Sequence, residues 1–427
     1  MKVYLRTFGC RANHYDSEAV RELVERAGHA IVDSPGDADA AVFNSCTVTA
    51  DAEADLRQAV RRAARERPGL RSVVMGCAAA LSDDDRPAAT RIGTLPSVRS
   101  VVSGADLAAV AAALELPPPL SAIRTRAQSG TRALLRVQDG CDQHCTFCAT
   151  TLARGANRSR DAETLVREAS LLAERHAEIV ITGIHIGGYG ADLGSSLGEL
   201  LERLIRDVPT VRFRLSSIEA TEIDHRLGDL LAGAPLRLAP HVHAPLQSGS
   251  DRLLRRMGRN WYTSATYSTA IERLAARMSI LGLGADLISG FPGETDEDHA
   301  ATVAMLDRLP FTYVHVFPYS ARAGTAATKL SDHVAPSVAR ERAAELRGFA
   351  ERAHVLHEAA RTGDEADVVV IGRGSERQGL TGDYLGVSID GGHHLPGERF
   401  AALLSREGGR LAARPVRSAV EVSAPLP

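Results

Sequence analysis

Three cysteines that each close an apolar run constrain the fold of this chain more than any other feature. Strand-like VYLRTF leads to Cys10, AAVFNS to Cys46 and SVVMG to Cys77, with helical patterns at Glu18–Ala27 and Ala50–Arg67 between them. Short apolar runs alternating with helices predict a βαβαβ unit and therefore a parallel sheet. Ligands of open parallel sheets gather at the carboxyl ends of the strands, so the three cysteines are expected to converge. Any one of them alone reads as an ordinary buried thiol. The same placement in successive units points instead to a metal centre.

The other three cysteines, Cys141, Cys145 and Cys148, share one loop, and none of the six is left over. Thiolates are the usual ligands of iron–sulfur clusters, and three thiolates on a four-iron cube leave one iron open to another ligand. A structural zinc site would want a fourth ligand nearby, and His144 is the only candidate within the loop. Disulfides are the remaining use of an even cysteine count. The opening MKVYLRTFGC lacks the basic-then-apolar pattern of a signal peptide, and no apolar stretch reaches the ~20 residues of a membrane helix. A cytoplasmic, membrane-free protein is expected, and in that reducing compartment cysteines read as ligands before disulfides.

With 427 residues, 44% hydrophobic and 24% charged, the chain has room for two or three domains, each with its own core. Residues 1–116 form the first, ending in an Ala-rich helix at Ala105–Leu114. Proline-rich 117–131 reads as a semi-rigid linker. From 132 to 361 the runs ALLRVQ, EIVITG, VRFRLS, HVHAPL, Gly282–Ser289 and Thr312–Phe317 alternate with helical patterns, and the long charged helix Ser337–Arg361 closes the series. Six βα repeats predict a partial parallel barrel rather than the eight of a complete one. Residues 362–427 carry short alternating strands punctuated by glycine, the pattern of a small antiparallel barrel. The expected class is therefore α/β with a small all-β domain at the end.

Cys141-Asp142-Gln143-His144-Cys145-Thr146-Phe147-Cys148 follows the first strand of the barrel series. A C-x3-C-x-aromatic-C loop in that place resembles the radical S-adenosylmethionine superfamily. The resemblance implies that its three cysteines hold a 4Fe–4S cluster whose open iron binds S-adenosylmethionine. It also implies that Phe147 supports the adenine, that Thr182 and Gly183 lie near the methionine amine, that Ser216 and Glu219 meet ribose or carboxylate, and that Gln247 lines the same pocket. The glycine-rich 183–190 lacks the lysine of a phosphate loop and reads as a packed turn. Glu294 reads equally as a ligand contact or as an acidic charge before a helix.

The resemblance narrows when the whole chain is considered. F-G-C-R-A-N-H-Y-D-S-E at 8–18, N-S-C-T-V-T at 44–49, M-G-C at 75–77, L-A-R-G at 152–155, S-S-I-E at 216–219, P-L-Q-S-G-S at 245–250 and G-F-P-G-E-T at 290–295 resemble the methylthiotransferases. Cys46–Thr49 and the stretch 182–190 are most similar to the branch acting on threonylcarbamoyladenosine in tRNA. The branches acting on isopentenyladenosine or on a ribosomal protein are less similar there. The family implies a second 4Fe–4S cluster on Cys10, Cys46 and Cys77, a radical barrel, a terminal TRAM domain, and a reductant protein such as flavodoxin or ferredoxin. A rival of another class is an iron–sulfur protein that binds RNA or senses redox state without catalysis.

Two features depart from the family or leave RNA contact to local patches. Ala149-Thr150-Thr151 stands where relatives often show a proline. The net charge is −3, nearly all positive charge is arginine, and the tail from Thr362 carries nine acids against seven arginines, so the molecule as a whole gives no electrostatic sign of a polyanionic partner. Arg410, Arg414 and Arg417 offer one face in the tail. Arg57, Arg61 and Arg65, at i, i+4 and i+8 with Arg62 and Arg67 nearby, offer another suited to tRNA phosphates, weighed against a solvated face balanced by Asp55 and Glu66.

Overall fold

The computed structural model describes residues 1–47, 50–81, 91–119, 128–372, 377–391 and 394–416. Val48 and Thr49 of the quoted motif, most of the linker and Arg417 lie outside the described residues. The chain divides into two compact units that do not follow its order. One joins residues 1–126 to the cysteine loop 138–158 and to 320–329; the other joins 127–137, 159–319 and 330–427.

In the first unit, β1 (Lys2–Thr7), β2 (Ala30–Val32), β3 (Ala40–Ser45), β4 (Arg71–Gly76) and β5 (Val98–Val101) form a sheet of order β2-β1-β3-β4-β5. All its ladders are parallel, with Leu5 beside Val42 and Val42 beside Val73. Central β3 is buried along its whole length because helices cover both faces, which explains its unbroken apolar sequence. On one face Phe43 and Val74 of the sheet pack with Leu56, Val60 and Ala63 of α2 (Ala50–Glu66). On the other, Val20, Val24, Val42, Met75 and Val110 join α1 (Arg11–Arg26) to α3 (Leu107–Ala113), which Asp106 caps through the amides of Ala108 and Ala109.

The second unit contains six parallel strands. Ala133–Arg136, Glu178–Thr182 and Arg212–Leu215 form one ladder, and His241–His243, Gly282–Ser289 and Tyr313–Pro318 another. Single parallel bridges, Phe213 to Leu238 and Ser217 to His243, join the two. Six parallel strands, with no further barrel strand among the described residues, match the partial barrel expected. One continuous core, including Leu135, Ile181, Phe213, Val242, Leu283 and Val314, packs against the surrounding helices.

Strands Glu365–Ile371, Gln378–Thr381, Gly386–Ile389, Arg399–Glu407 and Arg410–Pro415 close into a barrel around Val368, Val387, Phe400 and Leu404. Closure corrects the purely antiparallel expectation at one seam. Ser388 and Ile389 pair in parallel with Ala412 and Ala413, the one parallel ladder among five. An odd number of strands cannot alternate direction all the way round a closed barrel.

Candidate metal centre and radical loop

Cys10 follows the end of β1 by three residues, and Cys46 and Cys77 come directly after β3 and β4. These are neighbouring strands of one parallel sheet, so the three thiols collect at one edge. Gly9 makes the approach possible. Its φ is +90°, and a Cβ there would lie 2.3 Å from Cys46 Sγ, so any other residue is excluded by both strain and contact. Asn13, fully buried in the first turn of α1, ties the strand ends together by donating from Nδ2 to the carbonyls of Phe8 at 3.0 Å and Ser45 at 2.8 Å. Its own carbonyl accepts from Asn44 Nδ2 at 2.7 Å.

The loop of Cys141, Cys145 and Cys148 belongs to this same unit. Gly140, with φ +75°, brings the backbone so close to Ala156 that a Cβ would meet its carbonyl oxygen at 1.9 Å. Cys141 N–H donates to Gly155 O at 3.0 Å, closing the base of the loop. Two sulfurs accept backbone hydrogen bonds, Cys141 from Gln143 N–H and Cys148 from Thr150 N–H, each at 3.4 Å. Thr151 Oγ1 donates to Gln143 O at 3.1 Å, so the segment where relatives often show a proline is held by its hydroxyl instead. Phe147 is half-buried within the loop.

The short helix α4 (Thr150–Arg154) ends in a residue to which sequence reading gave no role. The Arg154 side chain is 2% exposed. Its Nη2 donates to Asn13 Oδ1 at 2.7 Å and Asp16 Oδ2 at 2.8 Å, Nη1 reaches Asp139 at 3.4 Å, and Nε points at Cys77 Sγ at 3.3 Å. Burial pushes the Cys77 thiol up, and the adjacent guanidinium pulls it back. Arg154 itself is held above its ordinary value, burial being outweighed by Asp16, Cys77 and Asp139. Asn13 and Arg154 lie in motifs that carry the resemblance, N-H-Y-D and L-A-R-G. That was the only signal that could have found them.

The remaining expected contacts lie in the second unit and fare differently. Thr182 is buried at the end of its strand, followed by half-buried Gly183. Ser216 Oγ is buried without a hydrogen-bond partner among the described residues. Gln247 sits in the left-handed region at φ +63°, a strained conformation that a binding site can use. Glu219 departs from expectation. Both its oxygens lie 2.6 Å from Arg259 Nη2, whose guanidinium also lies over the Trp261 ring. Its carboxylate is already committed to an ion pair. Glu294 accepts from Gly290 N–H at 2.6 Å and Arg342 at 2.9 Å, fixing it as a structural anchor ahead of the helix Asp296–Arg308. The glycine-rich stretch forms a short 3₁₀ turn at Ile186–Gly188, in keeping with a packed turn.

The proposed basic face on α2 is smaller than its spacing suggested. Arg61 and Arg65 are exposed, but Arg57 is half-buried beside Glu53 at 3.8 Å and Arg62 pairs with Glu66 at 2.7 Å. Acids one turn away on the same helix draw these cations back. Among the described residues no helix is long and apolar enough to cross a membrane.

Comparison with known proteins agrees with this arrangement. Residues 2–92 match the family described as Uncharacterized protein family UPF0004, and residues 135–306 match the Radical SAM superfamily. A threonylcarbamoyladenosine tRNA methylthiotransferase of Bacillus subtilis is 36% identical, covering 80% of this chain and 78% of the relative. One from Aquifex aeolicus is 32% identical over 92% of this chain and 97% of its own length. A tRNA-2-methylthio-N(6)-dimethylallyladenosine synthase of Sorangium cellulosum is 34% identical over 96% and 94%. Among solved structures, a radical S-adenosylmethionine methyltransferase from Kitasatospora setae shares the fold, with TM-score 0.55 at 15% identity over 74% of this chain and 72% of that one. The chain belongs to the radical S-adenosylmethionine methylthiotransferases, enzymes that use S-adenosylmethionine and carry two 4Fe–4S clusters.

Proposed function

We propose that the enzyme adds a methylthio group to C2 of N6-threonylcarbamoyladenosine beside the anticodon of tRNA, with Cys141, Cys145 and Cys148 holding one cluster and Cys10, Cys46 and Cys77 the other. The observation that carries the proposal is the gathering of three thiols at adjacent strand ends in the same compact unit as the second cysteine loop. A relative named for the threonylcarbamoyl substrate is 36% identical, against 34% for the dimethylallyladenosine synthase, and together with the Cys46–Thr49 and 182–190 motifs this favours threonylcarbamoyladenosine over the isopentenyl nucleoside.

When bound, the clusters with S-adenosylmethionine supply one-electron chemistry that yields a carbon radical, and a sulfur for transfer. The need for a radical follows from the substrate, because an aromatic C2–H is not acidic enough for a general base to remove at a useful rate. The chain's own residues orient and shield. The amides of Gln143 and Thr150 point at the sulfurs of Cys141 and Cys148. Asn13 fixes the strand ends beside Cys10 and Cys46. Buried Ser216 has no hydrogen-bond partner for its hydroxyl among the described residues, and Thr182 ends the neighbouring strand with Gly183 directly after it.

Exposed Arg61 and Arg65 offer phosphate contacts, and a flavodoxin- or ferredoxin-like protein is the proposed electron source, with the cytoplasm as the place of action. Two measurements test the proposal. Anaerobically reconstituted protein is expected to hold about eight irons, falling towards about four in either Cys10→Ala or Cys145→Ala. Modified nucleosides from a strain lacking the gene are expected to lose the methylthio form of threonylcarbamoyladenosine alone. Loss of a different modification overturns the substrate, and failure of reduced protein to form 5′-deoxyadenosine overturns the enzyme.

A further inference from the structure

We infer that Arg154 is a positioning residue that sets the reduction potential of the centre held by Cys10, Cys46 and Cys77, acting through the sulfur of Cys77. The inference rests on the cluster assignment proposed above.

Its geometry is specific. Nε approaches Cys77 Sγ at 3.3 Å in a setting where the Arg154 side chain is 2% exposed. A ligating sulfur carries part of the negative charge of its cluster, and each added electron increases that share. Hydrogen bonds to the sulfurs, net local charge and burial are the levers by which a protein moves cluster potentials. A guanidinium aimed at sulfur supplies the first two, a hydrogen bond and a positive charge, and both favour the reduced state and raise the potential. Low local dielectric makes the effect larger than at a surface.

Two carboxylates oppose it. Asp16 Oδ2 lies 2.8 Å from Nη2 and Asp139 Oδ1 3.4 Å from Nη1, so the cation is only partly offset at the sulfur. Asn13, which accepts from Nη2 at 2.7 Å, is also the residue that braces the strand ends beside Cys10 and Cys46. One side chain therefore touches a cluster sulfur and the scaffold of that cluster together. Arg154 also ends the helix that follows Cys148. The segment carrying one cysteine triad thus supplies the cation for the other.

The test is an electron-paramagnetic-resonance redox titration of the full-length, anaerobically reconstituted enzyme, with S-adenosylmethionine present to mark the signal of the Cys141, Cys145 and Cys148 cluster. In Arg154→Met the other cluster is expected to shift about tenfold towards its oxidised form, a fall of about 59 mV for a one-electron couple. Arg154→Lys keeps the charge without the planar fork and is expected to fall between wild type and Arg154→Met. Asp16→Asn removes an opposing charge and is expected to move the potential upward. Shifts of opposite sign from two partners of one ion pair are something a merely structural role does not produce. Full iron content with an unmoved potential in Arg154→Met overturns the inference, as do shifts of the same sign in Arg154→Met and Asp16→Asn. Should Arg154→Met fail to load iron, Arg154→Lys and Asp16→Asn decide, and potentials equal to wild type in both overturn it. A wild type holding about four irons that Cys10→Ala does not lower overturns the cluster assignment itself, a result distinct from eight irons with an unmoved potential.

Discussion

Both compact units bury arginine, and they surround it with different partners. In the first, Arg154 meets two carboxylates, an amide oxygen and a thiol. In the second, Arg212 and Arg214, both fully buried, share Glu178, which is equally buried. Arg214 Nε lies 2.9 Å from Glu178, and the rest of its fork donates to Thr381 O and Gly382 O, each at 2.9 Å. Arg212 Nη1 reaches Asp367 Oδ2 at 2.6 Å. These bonds tie strands of the partial barrel to the terminal barrel and leave no donor pointing at a cysteine. A buried ion cluster of this kind specifies how two elements dock, while adding little net stability over a well-packed apolar core. The Arg154 network faces sulfur and so bears on chemistry. The same residue type does both jobs because a planar fork can bind several acceptors at once.

The largest expected effect breaks the docking network. Glu178→Ala leaves two buried guanidiniums short of their shared anion, and a loss of about 3–5 kcal/mol in urea unfolding is expected. Breaking the other network is expected to cost less, because Asp139 keeps the Gly140 N–H at 2.9 Å and Arg158 at 3.9 Å. Arg154→Met is expected to lose about 1–3 kcal/mol on the same measurement while moving the cluster potential, which Glu178→Ala does not.

Acid sharpens the contrast further. Burial works to raise the Glu178 carboxyl, but Arg212 and Arg214 outweigh it and hold it well below the usual range. A depressed carboxylate contributes stability that is complete above its unfolded value of about 4.5 and is lost only as pH falls through the lower folded value. Wild-type stability is therefore expected to drop in strong acid, and Glu178→Gln to flatten part of that drop. Asp298 is held at about 2, burial again being outweighed, here by Arg252 and Ser250. Its contribution is expected to disappear as pH falls through about 2, a loss absent from Asp298→Asn. The smallest effect is at the surface. Reversing Arg61 and Arg65 is expected to leave unfolding unchanged within ~0.5 kcal/mol and to lower the salt slope of tRNA binding by about 2; an unchanged slope removes this face from the site.

Much of the scaffold could be read directly because its signals are local. The central strand of the first sheet is apolar on both faces, and the six barrel strands repeat at βα spacing. Helix α1 was harder. The apolar period points to a start at Glu18, yet the helix begins at Arg11, because its first turns bury polar Asn13, Asp16 and Ser17 among Ala12 and Tyr15 and so blur the apolar stripe. β2 and β5 are three and four residues long and too brief to announce themselves. Glu219 and Arg57 kept their predicted positions and lost their predicted availability, since Arg259 and Glu53 occupy them.

The order of residues determined which thiols exist, which strands they follow and, through motifs spread along the chain, the family. It did not determine what each charge faces. Arg154 and Asn13 are 141 residues apart, and a hydrogen bond across that distance leaves no periodic trace in either segment. Only the folded chain, by excluding water around a few polar groups and requiring each to find a partner, decided which arginine braces a barrel and which one looks at sulfur.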